Sequence, residues 1–272
     1  MTELSVVLIN FGRDEDLLAC VSMLVEHRDG LNIELAVVAH DTEASVMGAV
    51  GETWPEVRWT AVSTFGVAAA RNVGARVTSH DLIVFLDTDT RLMPGAFREL
   101  MDAFTRYPHL AAAGPRILNP DGTLQFSARS FYTPMSLILR RIPGSRAAAS
   151  RSVQRHLLLD WDHRDERVVD WIVGACFVVS RAVFERVGEF SEATSFGFED
   201  VEWCYRAKKA GHEVRYIPSA VIEHDYVRSS LGLNRRTLSH AGAALRHPGL
   251  IVRAGLVGAI QGLRNRTRSE VM

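Results

Sequence analysis

Three short apolar runs, 4–10 (LSVVLIN), 33–39 (IELAVVA) and 82–86 (LIVFL), are rich in β-branched residues and predict buried strands. Between the first two, Leu17, Leu18, Val21 and Leu24 recur at helical spacing. Near-continuous apolar strands alternating with helices imply a parallel sheet covered on both faces. Residues 67–77 are helix-like, and Pro94 opens a helix carrying Phe97, Leu100, Met101 and Phe104 on one face. The first 110 residues therefore read β-α-β-α-β-α, a nucleotide-binding architecture by analogy. Farther on, 168–179 (VVDWIVGACFVV) predicts one strand, 181–187 and 200–210 predict helices, and 213–217 and 220–224 predict two more strands. The expected fold class is α/β, with a Rossmann-like, mostly parallel central sheet flanked by helices.

Composition narrows the class. With 272 residues, 47% of them hydrophobic and 23% charged, the chain is long enough for a full core and excludes disordered and fibrous classes. Cys20, Cys176 and Cys204 are scattered without CxxC spacing, so neither a disulfide framework nor a structural zinc site is expected. The start, MTELSVVLIN, lacks the positive charge of a signal peptide, and the longest weakly polar stretch, 249–263, is short of the roughly 20 residues a membrane helix needs. The expected location is the cytoplasm.

Net charge is only −1, but it is unevenly spread. From Arg228 to Met272 there are eight arginines and one acid, Glu270. Between Gly122 and Leu159 there are six arginines and no acid, and part of this stretch reads as a mobile basic loop, with 129–155 a candidate lid. Drawn as a helix, 246–268 gathers Arg246, Arg253, Arg264 and Arg268 on one side, which suits peripheral contact with anionic lipid at the inner face of the plasma membrane or packing on the domain.

Asp87 and Asp89 follow the strand LIVFL, at the edge where open α/β sheets bind ligands. Two carboxylates one residue apart can hold a hard divalent cation together with a diphosphate, or cap the next helix. Glu199 and Asp200 open a helix, where an acidic pair either complements the helix dipole or supplies a general base. His224 closes a strand and is either hydrogen-bonded locally or a nitrogen ligand to the same metal; Arg228 either faces a departing diphosphate or is solvated. GxGxxG, GK[ST], HExxH and GxSxG are all missing, which disfavours dinucleotide enzymes, P-loop ATPases, zinc proteases and serine hydrolases.

An ordered set of motifs runs from Leu4 to Ser230: SVVLINFGR, AAARNVGA, FLDTDT, NPDGTLQ, VDWIVGACFVVSRAVFERVGEF, FEDVEWCYRAKKAGHEV and IPSAVIEHDYVRSS. It resembles the family-2 inverting glycosyltransferases of GT-A fold, especially the rhamnosyltransferase-like members of bacterial cell-wall and polysaccharide synthesis. The resemblance implies a GT-A domain over 1–230, with a nucleotide-sugar half (1–110) and an acceptor and catalytic half (111–230), followed by a basic helical extension over 231–272. It implies that Asp87 and Asp89 are the metal-binding DxD, joined by His224, with Mg2+ or Mn2+ as cofactor. Asp200 corresponds to the catalytic base, and Glu199 to a residue orienting the acceptor or the base. Asn10, Phe11, Arg71 and Asn72 match donor-side positions, with Asp87 and Arg228 also on the donor, and Trp171 and Gly174 match the acceptor wall.

Two positions depart from the family pattern. The aspartate expected after the second strand is Ala39, with Asp41 its substitute, and the family's GGFDE reads Gly188-Glu189-Phe190-Ser191-Glu192. The expected reaction moves a sugar, rhamnose among the candidates, from a nucleotide-diphosphate sugar to a hydroxyl of a saccharide or lipid-linked acceptor. No nucleic-acid partner is expected. The alternatives are a nucleotidyltransferase acting on sugar phosphates and a non-catalytic nucleotide-sugar-binding protein.

Overall fold

The computed structural model describes residues 2–63, 66–139, 149–193 and 198–225. The first half runs β1 (Glu3–Phe11), α1 (Asp14–Glu26), β2 (Asn32–His40), α2 (Ala44–Thr53), β3 (Arg58–Ala61), α3 (Val67–Arg76), β4 (Leu82–Asp87), β5 (Thr90–Leu92) and α4 (Ala96–Arg106). The second half runs β6 (Leu110–Leu118), β7 (Leu124–Gln125), β8 (Ala128–Arg129), α5 (Pro134–Leu139), α6 (Arg151–His156), β9 (Arg167–Val168), β10 (Trp171–Ile172), β11 (Cys176–Ser180), α7 (Arg181–Val187), α8 (Glu199–Lys209) and β12 (Glu213–His224).

The main sheet has the order β3-β2-β1-β4-β11-β6-β12-β5. Its first four strands are parallel, as are β6 and β12, while β11 runs antiparallel between β4 and β6. Side chains alternate across each strand. In β1, Leu4, Val6 and Leu8 enter one core with Leu17, Val21, Val50 and Leu100, while Val7 enters the other with Phe177, Phe184 and Trp203. Burial on both faces is why the strands read as continuous apolar runs rather than alternating ones. Helix α3 lies close against β1 at Gly74, where an added Cβ would come 2.2 Å from Val7 Cγ1.

Several elements differ from the sequence expectation. The β-α-β-α-β-α reading omits the three-residue β5 and also α2 and β3, an additional αβ unit on the sheet edge. Half-exposed β3 has only four residues, and α2 carries two glycines, so neither leaves a strong periodic signal. The single strand expected over 168–179 is three pieces, because the chain passes from a small β8–β10 sheet into the main one. Conversely, the two strands expected at 213–217 and 220–224 are one 12-residue strand, whose register slips between Ile217 and Val221. The basic stretch carries β7, β8 and α5 before 140–148 and α6 after it. Arg228, the 231–272 extension and the centre of the candidate lid (140–148) lie outside the described residues. Among the described residues, no helix is long and apolar enough to cross a membrane.

Candidate functional site

The parallel register brings the carboxyl ends of β1, β2 and β4 to one edge, and Asp87 closes β4 there. Thr90 Oγ1 donates to the Asp87 carbonyl at 2.7 Å, tightening the turn that carries Asp89. Strand β5 then pairs with the end of β12, setting His224 opposite Thr90, and the Asp225 N–H bonds the Asp89 carbonyl at 3.0 Å. Ligand atoms of Asp87, Asp89 and His224 consequently lie within 4.8 Å of one another. Two carboxylates and an imidazole form a donor set suited to a divalent cation. His224 Nδ1 lies 2.8 Å from Gln125 Oε1, and Gln125 Nε2 donates to Asn119 Oδ1 at 3.0 Å. That second layer orients the ring so that Nε2 faces Asp89 Oδ1 at 3.2 Å. Arg13 Nη1 reaches Asp89 Oδ2 at 2.6 Å. Burial alone raises the Asp89 pKa, but the hydrogen bond and charge of His224, reinforced by Arg13, hold it below the usual aspartate value.

A buried arginine links this trio to the acidic pair of α8. Arg71, 3% exposed, donates through Nη2 to Asp87 Oδ1 at 3.0 Å and to the Gly174 carbonyl at 2.7 Å, and through Nη1 to Glu199 Oε1 at 3.0 Å. Asp200 is held by backbone: Gly174 N–H donates to Oδ2 at 3.0 Å and Val201 N–H to Oδ1 at 2.8 Å. Glu199 Oε2 is buried without a hydrogen-bond partner among the described residues. Burial, then the adjacent Asp200 charge, raises Glu199 to about 7 despite Arg71. Burial also raises Asp200, against Arg71 and the two backbone N–H donors. The pair therefore holds a proton more tightly in the folded chain than in the unfolded one.

The stabilisation from that extra proton affinity is fully present below the unfolded carboxyl value and is lost as pH rises through the raised folded one. Thermal midpoints measured from pH 4 to 9 should fall in the wild type between the unfolded carboxyl value and about 7 and level off above it. Glu199→Gln should flatten the decline, and an equally steep decline in the variant would contradict the assignment.

Gly174 is required sterically, because an added Cβ would lie 2.5 Å from Arg71 Nη1. Gly174→Ala must displace the guanidinium from Asp87, Glu199 or both. A loss of about 1–3 kcal/mol in denaturant unfolding is expected, together with weakened turnover. Unchanged values of both would show that Arg71 moves without consequence.

The remaining expected positions divide. Asn10, expected on the donor side, is fully buried and spends its side chain on Asp14, Thr42 and the Arg13 N–H. Asn72 likewise braces the segment before α8 through Phe190 and Glu192. Arg71 and Asn72 are thus positioned as internal braces rather than as open donor ligands. Phe11 and His40 meet edge to face at the ends of β1 and β2. Asp41, its side chain 84% exposed, follows β2 on the rim, 3.0 Å from His40 Nδ1. Trp171 is buried, donates through Nε1 to the Ser130 carbonyl, and faces Tyr132, which stacks on Phe198 at 5.3 Å. Phe198 takes a left-handed φ of +78°, a costly conformation for an aromatic residue immediately before the acidic pair. Sequence reasoning passed over Arg13 and Gln125, although both end motifs quoted above. Arg129, expected at the start of the candidate lid, is instead buried over the Trp171 ring, and its charge acts on Asp200.

Comparisons with known proteins bear on this arrangement. A family model described as glycosyltransferase-like family 2 matches residues 2–240. Over 166 residues the chain is 31% identical to the N-acetylglucosaminyl-diphospho-decaprenol L-rhamnosyltransferase of Mycobacterium tuberculosis, covering 60% of this chain and 52% of that protein. Over 192 residues it is 30% identical to the pre-mycofactocin glycosyltransferase of the same organism, covering 67% and 36%. The chain thus spans about half or less of the length of these curated relatives. In fold it is similar to the crystal structure of GalNAc-T7 with UDP, GalNAc and Mn2+, with a TM-score of 0.66, 16% identity, and coverage of 90% of this chain and 48% of that one.

Proposed function

Because this chain belongs to glycosyltransferase-like family 2, we propose that it is a metal-dependent, inverting glycosyltransferase using a nucleotide-diphosphate sugar. The fold supplies a GT-A type scaffold, an α/β sheet whose carboxyl edge carries the site. The observation that carries the reading is the convergence of Asp87, Asp89 and His224 with the buried Glu199–Asp200 pair, joined through Arg71. A sugar transfer needs both halves, one for the leaving diphosphate and one for the attacking hydroxyl.

Asp87, Asp89 and His224 would hold a divalent cation, Mg2+ or Mn2+, which when bound neutralises charge on the departing diphosphate. Gln125 keeps the His224 ring turned toward the carboxylates. Asp200 accepts the acceptor hydroxyl proton, its carboxylate oriented by the Gly174 and Val201 N–H groups. Burial makes it more basic than an exposed aspartate, which suits proton abstraction near neutral pH. Glu199, anchored by Arg71, orients the acceptor or the base from the neighbouring position. Attack on the anomeric carbon from the face opposite the diphosphate inverts its configuration. The aromatic surface of Trp171, Tyr132 and Phe198 supports the acceptor-side assignment of β10.

Asp41 and Phe11, on the rim of β1 and β2, are the donor-side positions proposed for the nucleoside. A rhamnosyl donor and a lipid-linked or polysaccharide acceptor are favoured by the similarity to the mycobacterial rhamnosyltransferase. The test is a panel of nucleotide-diphosphate sugars with Mn2+ or Mg2+, screened by thermal shift and then assayed for transfer. Cation-dependent stabilisation by one donor and production of an inverted glycoside are expected. Nucleotide binding without turnover on any acceptor would instead favour a binding protein, and nucleotidyl transfer to a sugar phosphate would replace the reading altogether.

A further inference from the structure

Helices α5 and α6 form a surface unlike the rest of the described chain. Met135 and Ile138 are 56% and 58% exposed, the highest values among its exposed large hydrophobic residues. They are three positions apart on α5 and share one side of it. The opposite side is anchored: Ser136 is buried, and Leu137 packs against the core that holds Trp171 and Trp203. Helix α6 is tied alongside by the 2.6 Å contact between Thr133 Oγ1 and Ser152 Oγ. Its Val153 and His156 are buried, whereas Arg151 and Arg155, one turn apart, are exposed. Among the described residues neither arginine forms an ion pair, and 122–159 carries no acid.

We infer that the outer face of α5 and α6 docks on an anionic phospholipid bilayer. Two exposed apolar side chains on α5 and two exposed arginines on the adjoining α6, without an ion pair among the described residues, match the interfacial pattern, in which aliphatic groups enter the headgroup boundary while cations meet lipid phosphates. Charge complementarity selects this occupant. An apolar protein groove would leave the arginines without partners, and an acidic protein surface would bury Met135 and Ile138 against charge. The face also adjoins the candidate site. Tyr132, just before α5, stacks on Phe198, the neighbour of Glu199. Docking here would bring the acceptor wall to the lipid surface, independently of the basic 246–268 segment. The inference concerns lipid binding alone and is tested without donor or acceptor.

The experiment is sedimentation of the full chain with vesicles of phosphatidylglycerol and phosphatidylcholine, against phosphatidylcholine alone, at low and high salt. Wild type should bind the anionic vesicles preferentially and lose binding as salt rises. The double substitution M135S/I138S should lower the bound fraction at least fivefold, and R151S/R155S should do the same at low salt. V25S/M47S, which removes exposed apolar side chains from α1 and α2, should bind like wild type. A second readout avoids dependence on affinity. Cys20, Cys176 and Cys204 are all buried, so Met135→Cys can be labelled selectively with an environment-sensitive fluorophore. Its emission should shift to the blue on anionic vesicles. Wild-type binding that M135S/I138S leaves intact, equal binding to neutral vesicles, or an unshifted probe on bound protein would each overturn the inference.

Discussion

Asp89→Asn should lower transfer by about a thousandfold or more and remove the cation dependence of donor binding. Asp89 is the member of the trio contacted from two sides, by His224 Nε2 and by Arg13 Nη1. Those contacts hold its pKa down against burial, so at neutral pH it is a carboxylate. Asparagine keeps the shape and one oxygen but removes the charge that a hard cation requires. Arg13 would then face a neutral amide, and its charge-assisted bond to Asp89 would be lost. Donor affinity should be measured calorimetrically with Mn2+ and with chelator. Wild type should separate the two conditions by at least tenfold, whereas Asp89→Asn should not separate them. A variant that binds donor as wild type does, with the same sensitivity to chelator, would remove Asp89 from the metal site.

The same substitution has a stability signature of opposite sign to that of Glu199. A depressed carboxyl pKa contributes stability above the unfolded value and loses it as pH falls through the folded one. Asp89→Asn should therefore flatten the acid side of the stability profile, while Glu199→Gln flattens the decline toward neutral pH. Two carboxylates in one site are thereby distinguished by folding measurements that require no substrate.

The parts of this site visible in sequence were those carried by local pattern. Asp87 and Asp89 follow a buried run, and Glu199 and Asp200 open a helix, so strand and helix signals suffice to place them at element ends. The parts that were not visible depend on side chains meeting across long separations. Arg13 reaches Asp89 across 76 positions, and Gln125 orients His224 across 99. Nothing in the local spacing of either partner encodes such a meeting; it is created by the order of strands in the sheet. Arg71 shows the same limit from the other direction. Its motif was legible, but an arginine on a helix beside a ligand edge reads as a ligand until its three partners, Asp87, Gly174 and Glu199, are seen to be its own chain. Likewise, the apolar run 168–179 looked like one strand because composition cannot show where a chain changes sheets. The break leads into Gly174, whose N–H bonds Asp200 and whose missing side chain admits Arg71.

Asp200→Asn provides the sharpest separation between an enzyme and a binding protein with this fold. Asparagine can retain an oxygen toward the Gly174 N–H but then turns its NH2 on the Val201 N–H, which costs some stability; the substitution leaves Arg71 with Asp87 and Glu199, so donor binding should change little. What disappears is proton acceptance at the attacking hydroxyl. General base catalysis typically contributes ~10²–10⁴-fold, so kcat should fall by that factor while donor affinity stays within about threefold. In the wild type, kcat should rise with pH as the buried pair loses its proton, because burial has raised both carboxyl groups. That limb should vanish from the residual activity of Asp200→Asn but persist, displaced, in Glu199→Gln. If instead Glu199→Gln alone abolishes the limb and Asp200→Asn keeps it, the proton goes to Glu199 Oε2, the buried oxygen without a partner, and Asp200 serves to anchor Gly174.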